Sequence, residues 1–172
     1  MKIWIIYDSK FGNNKRISEL MKEQLVSNHE VHVSYAKKIS PKAVLATNPD
    51  VLLFGGPRRI GNISFTLRTW ISRYAKFLTK KHISMHKIAA WETRGEMKPE
   101  IANSESKMER NIYEKNLKTG ELWKALIQKI PVDKPPQELM SLFIVNETTL
   151  GNGVLELGFE EKIQTFIRQL NL

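Results

Sequence analysis

Ser9-Lys10-Phe11-Gly12-Asn13-Asn14 brings a hydroxyl, a glycine and two side-chain amides together just ahead of the basic pair Lys15-Arg16. It follows the apolar run Ile3–Tyr7 with only Asp8 between them. A helix starting there would direct free backbone N–H groups and the positive end of its dipole at an anion such as a phosphate. The same residues also suit an ordinary strand-to-helix turn capped by Asn13 or Asn14. Two further stretches stand after apolar runs in the same way. Gly56-Pro57-Arg58-Arg59-Ile60-Gly61 follows DVLLFG, and Glu92-Thr93-Arg94-Gly95 follows KIAAW. One such turn means little, whereas several on one rim would make a ligand site.

Other chemistries find little support. The sequence has neither G-x-x-x-x-G-K-[ST] nor G-x-G-x-x-G, so a Walker-type nucleotide loop and a dinucleotide fingerprint are both excluded. With no cysteine, disulfides, thiolate metal sites and a cysteine nucleophile are excluded as well. G-x-S-x-G does not occur. His82 and His86 are spaced for a helical metal pair but have no third ligand nearby in sequence. Glu160-Glu161 and the pair Glu19 and Glu23 read as helix surface. No metal site and no catalytic acid, base or nucleophile is expected.

The elements that must position these loops follow from hydrophobic spacing. At 172 residues and 41% hydrophobic content the chain fits one globular domain. Lys2–Tyr7, Asp50–Gly55, Lys87–Trp91 and Met140–Val145 are apolar or β-branched runs of strand length, and Glu30–Ala36 alternates like an edge strand. Ile17, Leu20, Met21 and Leu25 form one helical stripe. Leu67, Trp70, Ile71, Tyr74 and Leu78 form a second, Leu122, Trp123, Leu126, Ile127 and Ile130 a third, and Phe159, Ile163, Phe166, Ile167 and Leu170 a fourth. Pro41–Thr47 suits a short helix or turn. Residues 96–119 are polar and weakly patterned, an extended loop or insertion with some helical character. Strands alternating with helices predict an α/β domain with a parallel sheet wrapped on both faces. In such a sheet the polar loops converge at the carboxyl ends of the strands, where ligands bind.

The net charge of +9 is unevenly placed. No acidic residue occurs between Asp50 and Glu92, an interval holding Arg58, Arg59, Arg68, Arg73, Lys76, Lys80, Lys81 and Lys87. Helical phase puts Arg73, Lys76 and Lys80 on the outer side of their helix. Such a field calls for an acidic partner or an anionic ligand, with nucleic acid as the rival and a merely solvated face as the plainest reading. Trp70 and Tyr74 turn toward the core, which counts against base stacking. The short N-terminal apolar run fits neither a signal peptide nor a membrane span, and together with the absence of cysteine suggests the cytoplasm.

Y-D-S-K-F-G-N-N-K-R-I resembles the phosphate loop of the flavodoxin family, which holds flavin mononucleotide (FMN). P-D-V-L-L-F-G-G-P-R-R-I-G-N-I is similar to that family's D-x-x-x-x-G-S-P-T-Y-x-G segment, and K-I-A-A-W-E-T-R-G resembles its F-D-T-R or F-G-T-R loop. G-E-L-W-K-A-L-I-Q-K-I and the ending L-F-I-V-N-E-T-T-L-G-N-G-V-L-E-L-G-F-E-E-K-I fit more loosely. The resemblance spans nearly the whole chain. It implies a flavodoxin-like three-layer sandwich with a five-stranded parallel sheet in the order 2-1-3-4-5. It also implies non-covalent FMN and electron transfer to or from a protein partner. By position, Ser9, Lys10, Phe11, Gly12, Asn13 and Asn14 would surround the phosphate. Pro57, Arg58, Arg59, Ile60 and Gly61 would lie against the isoalloxazine. Trp91, Glu92, Thr93, Arg94 and Gly95 would line its other side. Phe11 and Asn14 replace hydroxyl residues common in the family, Asn14 still offering an amide donor. Arg58-Arg59 stands where Thr-Tyr is common, so two cations replace an aromatic cover and would favour the reduced, anionic flavin. Alternatives on the same fold are a flavin-dependent dehydrogenase or quinone oxidoreductase, and an FMN-free basic module binding an acidic partner or nucleic acid.

Overall fold

Lys2–Tyr7 (β1) lies between Glu30–Tyr35 (β2) and Val51–Arg59 (β3), parallel to both. In the computed structural model, which describes residues 1–59, 61–95, 99–133, 140–145 and 153–172, β3 pairs onward with Lys87–Gly95 (β5), and β5 with Met140–Val145 (β6), again in parallel. Two short antiparallel strands complete the sheet. Asn62–Ile63 (β4) folds back on β3, and Val154–Leu155 (β7) on β6. With β4 set aside, the parallel strands run in the order 2-1-3-4-5 that the resemblance implied.

Helices cover both faces because the buried strands are apolar on both. Ile3, Ile5, Leu53, Ala89 and Trp91 project to one side, beneath Asn13–Leu25 (α1) and Phe159–Gln169 (α6). Trp4, Ile6, Leu52, Phe54, Ile88 and Ala90 project to the other, beneath Pro41–Leu45 (α2), Phe65–Lys81 (α3) and Thr119–Ile127 (α5). Neighbouring residues thus alternate between two cores, as the pleat requires. On α3, Leu67, Trp70, Ile71, Tyr74 and Leu78 are buried as their spacing predicts. Each fully buried apolar side chain contributes roughly 1.5–3 kcal/mol, enough to hold the helix despite its cationic outer side.

The helix ends are chemically specified. Ser64 Oγ accepts the Leu67 N–H at 3.3 Å, and Ser40 Oγ accepts the Ala43 N–H at 3.1 Å with Pro41 opening the helix. His82 closes α3 in the left-handed conformation at φ 55°. That is a capping role for a residue whose spacing from His86 suggested a metal. Among the described residues no group of His, Asp or Glu is arranged to hold one.

The structure differs from expectation at the strand ends. Both β3 and β5 run four residues beyond the apolar stretch, to Arg59 and Gly95, because each finds a ladder partner there. The 96–119 segment is partly helical where described, with a 3₁₀ turn at Pro99–Asn103 and a helix at Lys107–Leu117 (α4). Leu122, assigned to the buried stripe of α5, is instead 40% exposed. Among the described residues no helix is long and apolar enough to cross a membrane.

Candidate functional site

The first loop leaves β1 after Tyr7, where the Asp8 N–H donates to Gly55 O at 2.9 Å. Gly12 precedes α1 at φ 94°, ψ −23°, a left-handed conformation that glycine adopts without strain. Ser9 Oγ accepts the Gly12 N–H at 3.1 Å and braces the turn. The first helical bond runs from Arg16 N–H to Gly12 O at 2.9 Å, and α1 has neither a side-chain cap nor an acidic residue in its first turn. The amides of Asn13, Asn14 and Lys15 therefore point out of the helix end with the positive end of the dipole behind them. A Cβ built on Gly12 would meet nothing within 4 Å, so among the described residues nothing crowds that side of the turn. Lys10 and Phe11 are exposed, with the ammonium 4.9 Å from the ring centroid.

The two asparagine side chains are turned elsewhere. Asn14 is buried, and its Nδ2 donates to Thr93 Oγ1 at 2.8 Å while its Oδ1 accepts the Trp91 Nε1–H at 3.0 Å. It ties the first loop to the third, and its amide is not the phosphate donor that its position suggested. Asn13 Nδ2 donates to Gly153 O at 3.0 Å. What the loop can offer an anion is main-chain N–H and the Ser9 hydroxyl.

The second stretch is a hairpin rather than an open loop. Arg58 pairs with Ile63 and Arg59 with Asn62, and the turn passes Gly61 at φ 69°. A Cβ on Gly61 would come within 2.4 Å of Lys115 Cβ, so α4 closes directly over this turn. Ile60 lies outside the described residues. Pro57 is half-buried, and Arg59 is exposed. The charge of Arg59 reaches Tyr35, which stacks on Tyr7 with centroids 5.7 Å apart at the end of β1 and β2. Burial, and then the Asp8 carboxylate, raise the Tyr35 phenol above its ordinary range, and Arg59 opposes them.

Arg58 turns inward and forms the strongest electrostatic feature of the rim. Its side chain is 4% exposed and that of Glu92 1%. Arg58 Nη2 donates to Glu92 Oε1 at 2.6 Å and its Nε to Oε2 at 3.3 Å. Trp123 Nε1–H donates to Oε2 at 2.9 Å, and the Ser141 hydroxyl to Oε1 at 2.9 Å. Arg94 Nε stands 3.8 Å from Oε1. One carboxylate thus joins β3, β5, β6 and α5. Burial lowers the Arg58 guanidinium from its ordinary range, and Glu92 works against that shift. Trp123 and Ser141 were not legible as partners. The available signal was a carboxylate closing the apolar run KIAAW, since an acid continuing a buried strand must be paired.

Of the third stretch, Glu92 and Thr93 are buried and serve structure, while Arg94 and Gly95 are partly exposed. The Trp91 indole is fully buried and lies against the backbone of Gly55, where a Cβ would come within 2.1 Å of the ring. It belongs to the core and reaches the first loop through its Nε1–H bond to Asn14 Oδ1. The rim thus gathers an uncapped helix N-terminus, a covered hairpin and a strand end, which together suit an anionic ligand held mostly by main chain.

No family model matches the chain. A flavodoxin from Clostridium saccharobutylicum is 27% identical over 77 residues, covering 45% of this chain and 48% of that protein, so the match spans about half the length of that relative. Among solved structures, oxidised Flavodoxin 2 from Bacillus cereus superposes with a TM-score of 0.62 at 18% identity, covering 99% of this chain and 98% of that one. Oxidised Flavodoxin 1 from the same organism gives 0.64 at 11%, covering 99% and 97%. The rubredoxin oxygen:oxidoreductase of Desulfovibrio gigas gives 0.57 at 13%, with 99% of this chain matched to 36% of that one. At these identities the structural likenesses establish the fold.

Proposed function

We propose that this chain, a flavodoxin-like protein, holds FMN at the rim and exchanges electrons with a protein partner whose face is acidic, in the cytoplasm. The observation that carries the reading is the uncapped start of α1 behind left-handed Gly12, where a phosphate would meet several N–H donors. The residues present fit that half of the cofactor well. Main-chain N–H groups of Ser9–Asn14, apart from the Gly12 N–H held by Ser9 Oγ, and the Ser9 hydroxyl would take the phosphate. The hairpin at Pro57–Gly61 and the strand end at Thr93–Gly95 would offer the ring polar main chain on two sides. FMN, when bound, supplies one- and two-electron redox chemistry. The protein's part is to bind, orient and shield. The Asn14 bonds to Thr93 and Trp91 fix the phosphate loop against the third strand. The Arg58–Glu92 pair fixes the hairpin against that same strand. Lys115 closes the outside of the hairpin turn.

Uptake of FMN is read from the visible absorption of the purified protein and from titration of the apoprotein. Riboflavin, which lacks the phosphate, should bind at least about a hundredfold more weakly, because two or more charge-assisted bonds of about 1.5–3 kcal/mol each are lost. Equal affinities would sink the phosphate assignment. Uptake of neither flavin would sink the cofactor reading itself.

A further inference from the structure

The outer side of α3 is cationic without internal compensation. Arg68, Arg73, Lys76 and Lys80 are all exposed, and none has an ion-pair partner among the described residues. The contrast with α1 is direct. There Lys15 pairs with Glu19 at 3.6 Å and Arg16 with Glu160 at 3.2 Å. A solvated helix face is ordinarily laced with acids in this way, yet α3 has none.

Apolar surface lies among these charges. Phe65 is 75% exposed at the start of α3, with the Arg68 guanidinium 5.9 Å from its ring centroid. A groove of about 350 Å³ runs from Phe65 past Arg68, Ser72 and Arg73 to Lys76. Arg68 also lines a second groove of about 180 Å³ between α3 and α5, floored by Ile63, Leu122 and Leu126. That is where the unexpectedly exposed Leu122 faces. Large aromatics and arginines around an apolar centre are the side chains that dominate protein interfaces.

We propose that this face of α3, continued over β4 to α5, docks an acidic amphipathic segment of the partner, its carboxylates on Arg68, Arg73 and Lys76 and an apolar side chain beside Phe65 and Leu122. Charge complementarity selects the acid, and the apolar floor selects a polypeptide over nucleic acid. A phosphate backbone needs no such floor, and the stacking surface it would use is reduced by burial of Trp70 and Tyr74. The face reaches the rim directly, because β4 lines the second groove and pairs with Arg58 and Arg59 of the flavin-side hairpin. The proposal deepens the electron-carrier reading by naming where the partner sits, while its binding test needs no flavin.

The probe is a fluorescein-labelled helical peptide of about 18 residues, five turns, with Glu on one side and Leu and Trp on the other. Two controls are the same peptide with Ser for Leu and Trp, and a single-stranded DNA oligonucleotide. Anisotropy titrations use the full chain and the variants Arg73→Glu/Lys76→Glu and Phe65→Ala. The amphipathic peptide should bind, weaken with salt, and lose at least about tenfold in affinity with either variant. The Ser peptide and the DNA should bind more weakly than it does. Melting temperature and FMN uptake should be unchanged in both variants, so loss of docking is separable from loss of the cofactor site. Peptide affinity indifferent to charge reversal would overturn the proposal. So would DNA binding tighter than the peptide, or a Phe65→Ala variant that binds normally.

Discussion

Replacing Glu92 by Gln keeps the shape of the side chain and removes its charge. In the native rim both carboxylate oxygens face donors: Oε1 takes Arg58 Nη2 and the Ser141 hydroxyl, while Oε2 takes Arg58 Nε and Trp123 Nε1. An amide has one acceptor oxygen, so its NH₂ must face either Trp123 with Arg58 or Ser141 with Arg58. Only the serine can reverse its role and accept. Either orientation leaves a donor opposed to Arg58, whose guanidinium is 4% exposed and has lost its counter-charge. Breaking one side of such a pair costs about 3–5 kcal/mol, against a total stability of roughly 5–15 kcal/mol for a domain. For a chain of this size that is a fall of roughly 6–20 °C in Tm. The measurement is denaturant and thermal unfolding of the flavin-free protein, so that ligand linkage does not enter. Glu92→Leu/Arg58→Met should recover more than half of the loss, because an apolar replacement of a buried pair is often neutral. A loss below about 1 kcal/mol in Glu92→Gln, or a double variant as unstable as the sum of its singles, would refute the assignment of Glu92 as the rim's clamp.

Gly55→Ala should destabilise by about 1–3 kcal/mol or more, since its Cβ would lie 2.1 Å from the Trp91 ring, and Trp91→Leu in the same chain should return part of that loss on denaturant unfolding. Gly12→Val is expected to cost the apoprotein only left-handed strain of about 1–2 kcal/mol, its Cβ meeting no atom within 4 Å, yet to abolish FMN uptake in the absorption titration. Burial raises the Tyr74 phenol, which donates to Met85 Sδ at 3.2 Å, so above pH about 10 the native state binds more protons than the unfolded one. The Tyr74 contribution to stability should therefore be constant to that pH and lost beyond it. Tyr74→Phe should make the alkaline fall shallower in unfolding curves collected along an alkaline series, the raised Tyr35 phenol keeping part of it.

The sequence was most informative where period and burial coincide. The stripe on α3 and the strands KIWII, VLLF and KIAAW are set by side chains that must leave water, and their spacing shows which face they leave by. It was least informative past the ends of those runs. Arg58, Glu92 and Arg94 are polar, and polar residues after an apolar run read as loop. They continue as strand because Arg58 and Glu92 satisfy one another, a condition set by residues 34 apart in sequence. Asn14 shows the same limit. Its type predicts a donor to a ligand, and only the positions of Thr93 and Trp91 reveal that both ends of its amide are already engaged. Leu122 sits at the margin of its stripe, where phase alone cannot separate core from groove wall.

The burial of Arg58 also alters the electrostatics expected around a flavin. Two free guanidinium groups beside the ring would both favour the reduced anion. In the structure Arg58 faces the Glu92 carboxylate in a nearly dry setting, so from outside the pair is close to neutral and its field falls off as a dipole's does. Lys87, another cation of the acid-free interval, is buried and donates to the Leu170 carbonyl at the other end of β5. The positive interval is thereby sorted by depth: Arg58 and Lys87 meet acceptors within the fold, and its outward members, Arg59 apart, gather on α3. Of the hairpin's two arginines only Arg59 keeps an exposed charge, and because water and salt screen it, its influence on a bound flavin should be modest and ionic-strength dependent. In Arg59→Gln the potential of the bound flavin should become slightly more negative at low salt and differ little from the native value at high salt. An effect of Arg59→Gln that persists undiminished in high salt would show that this arginine, too, works from a desolvated position.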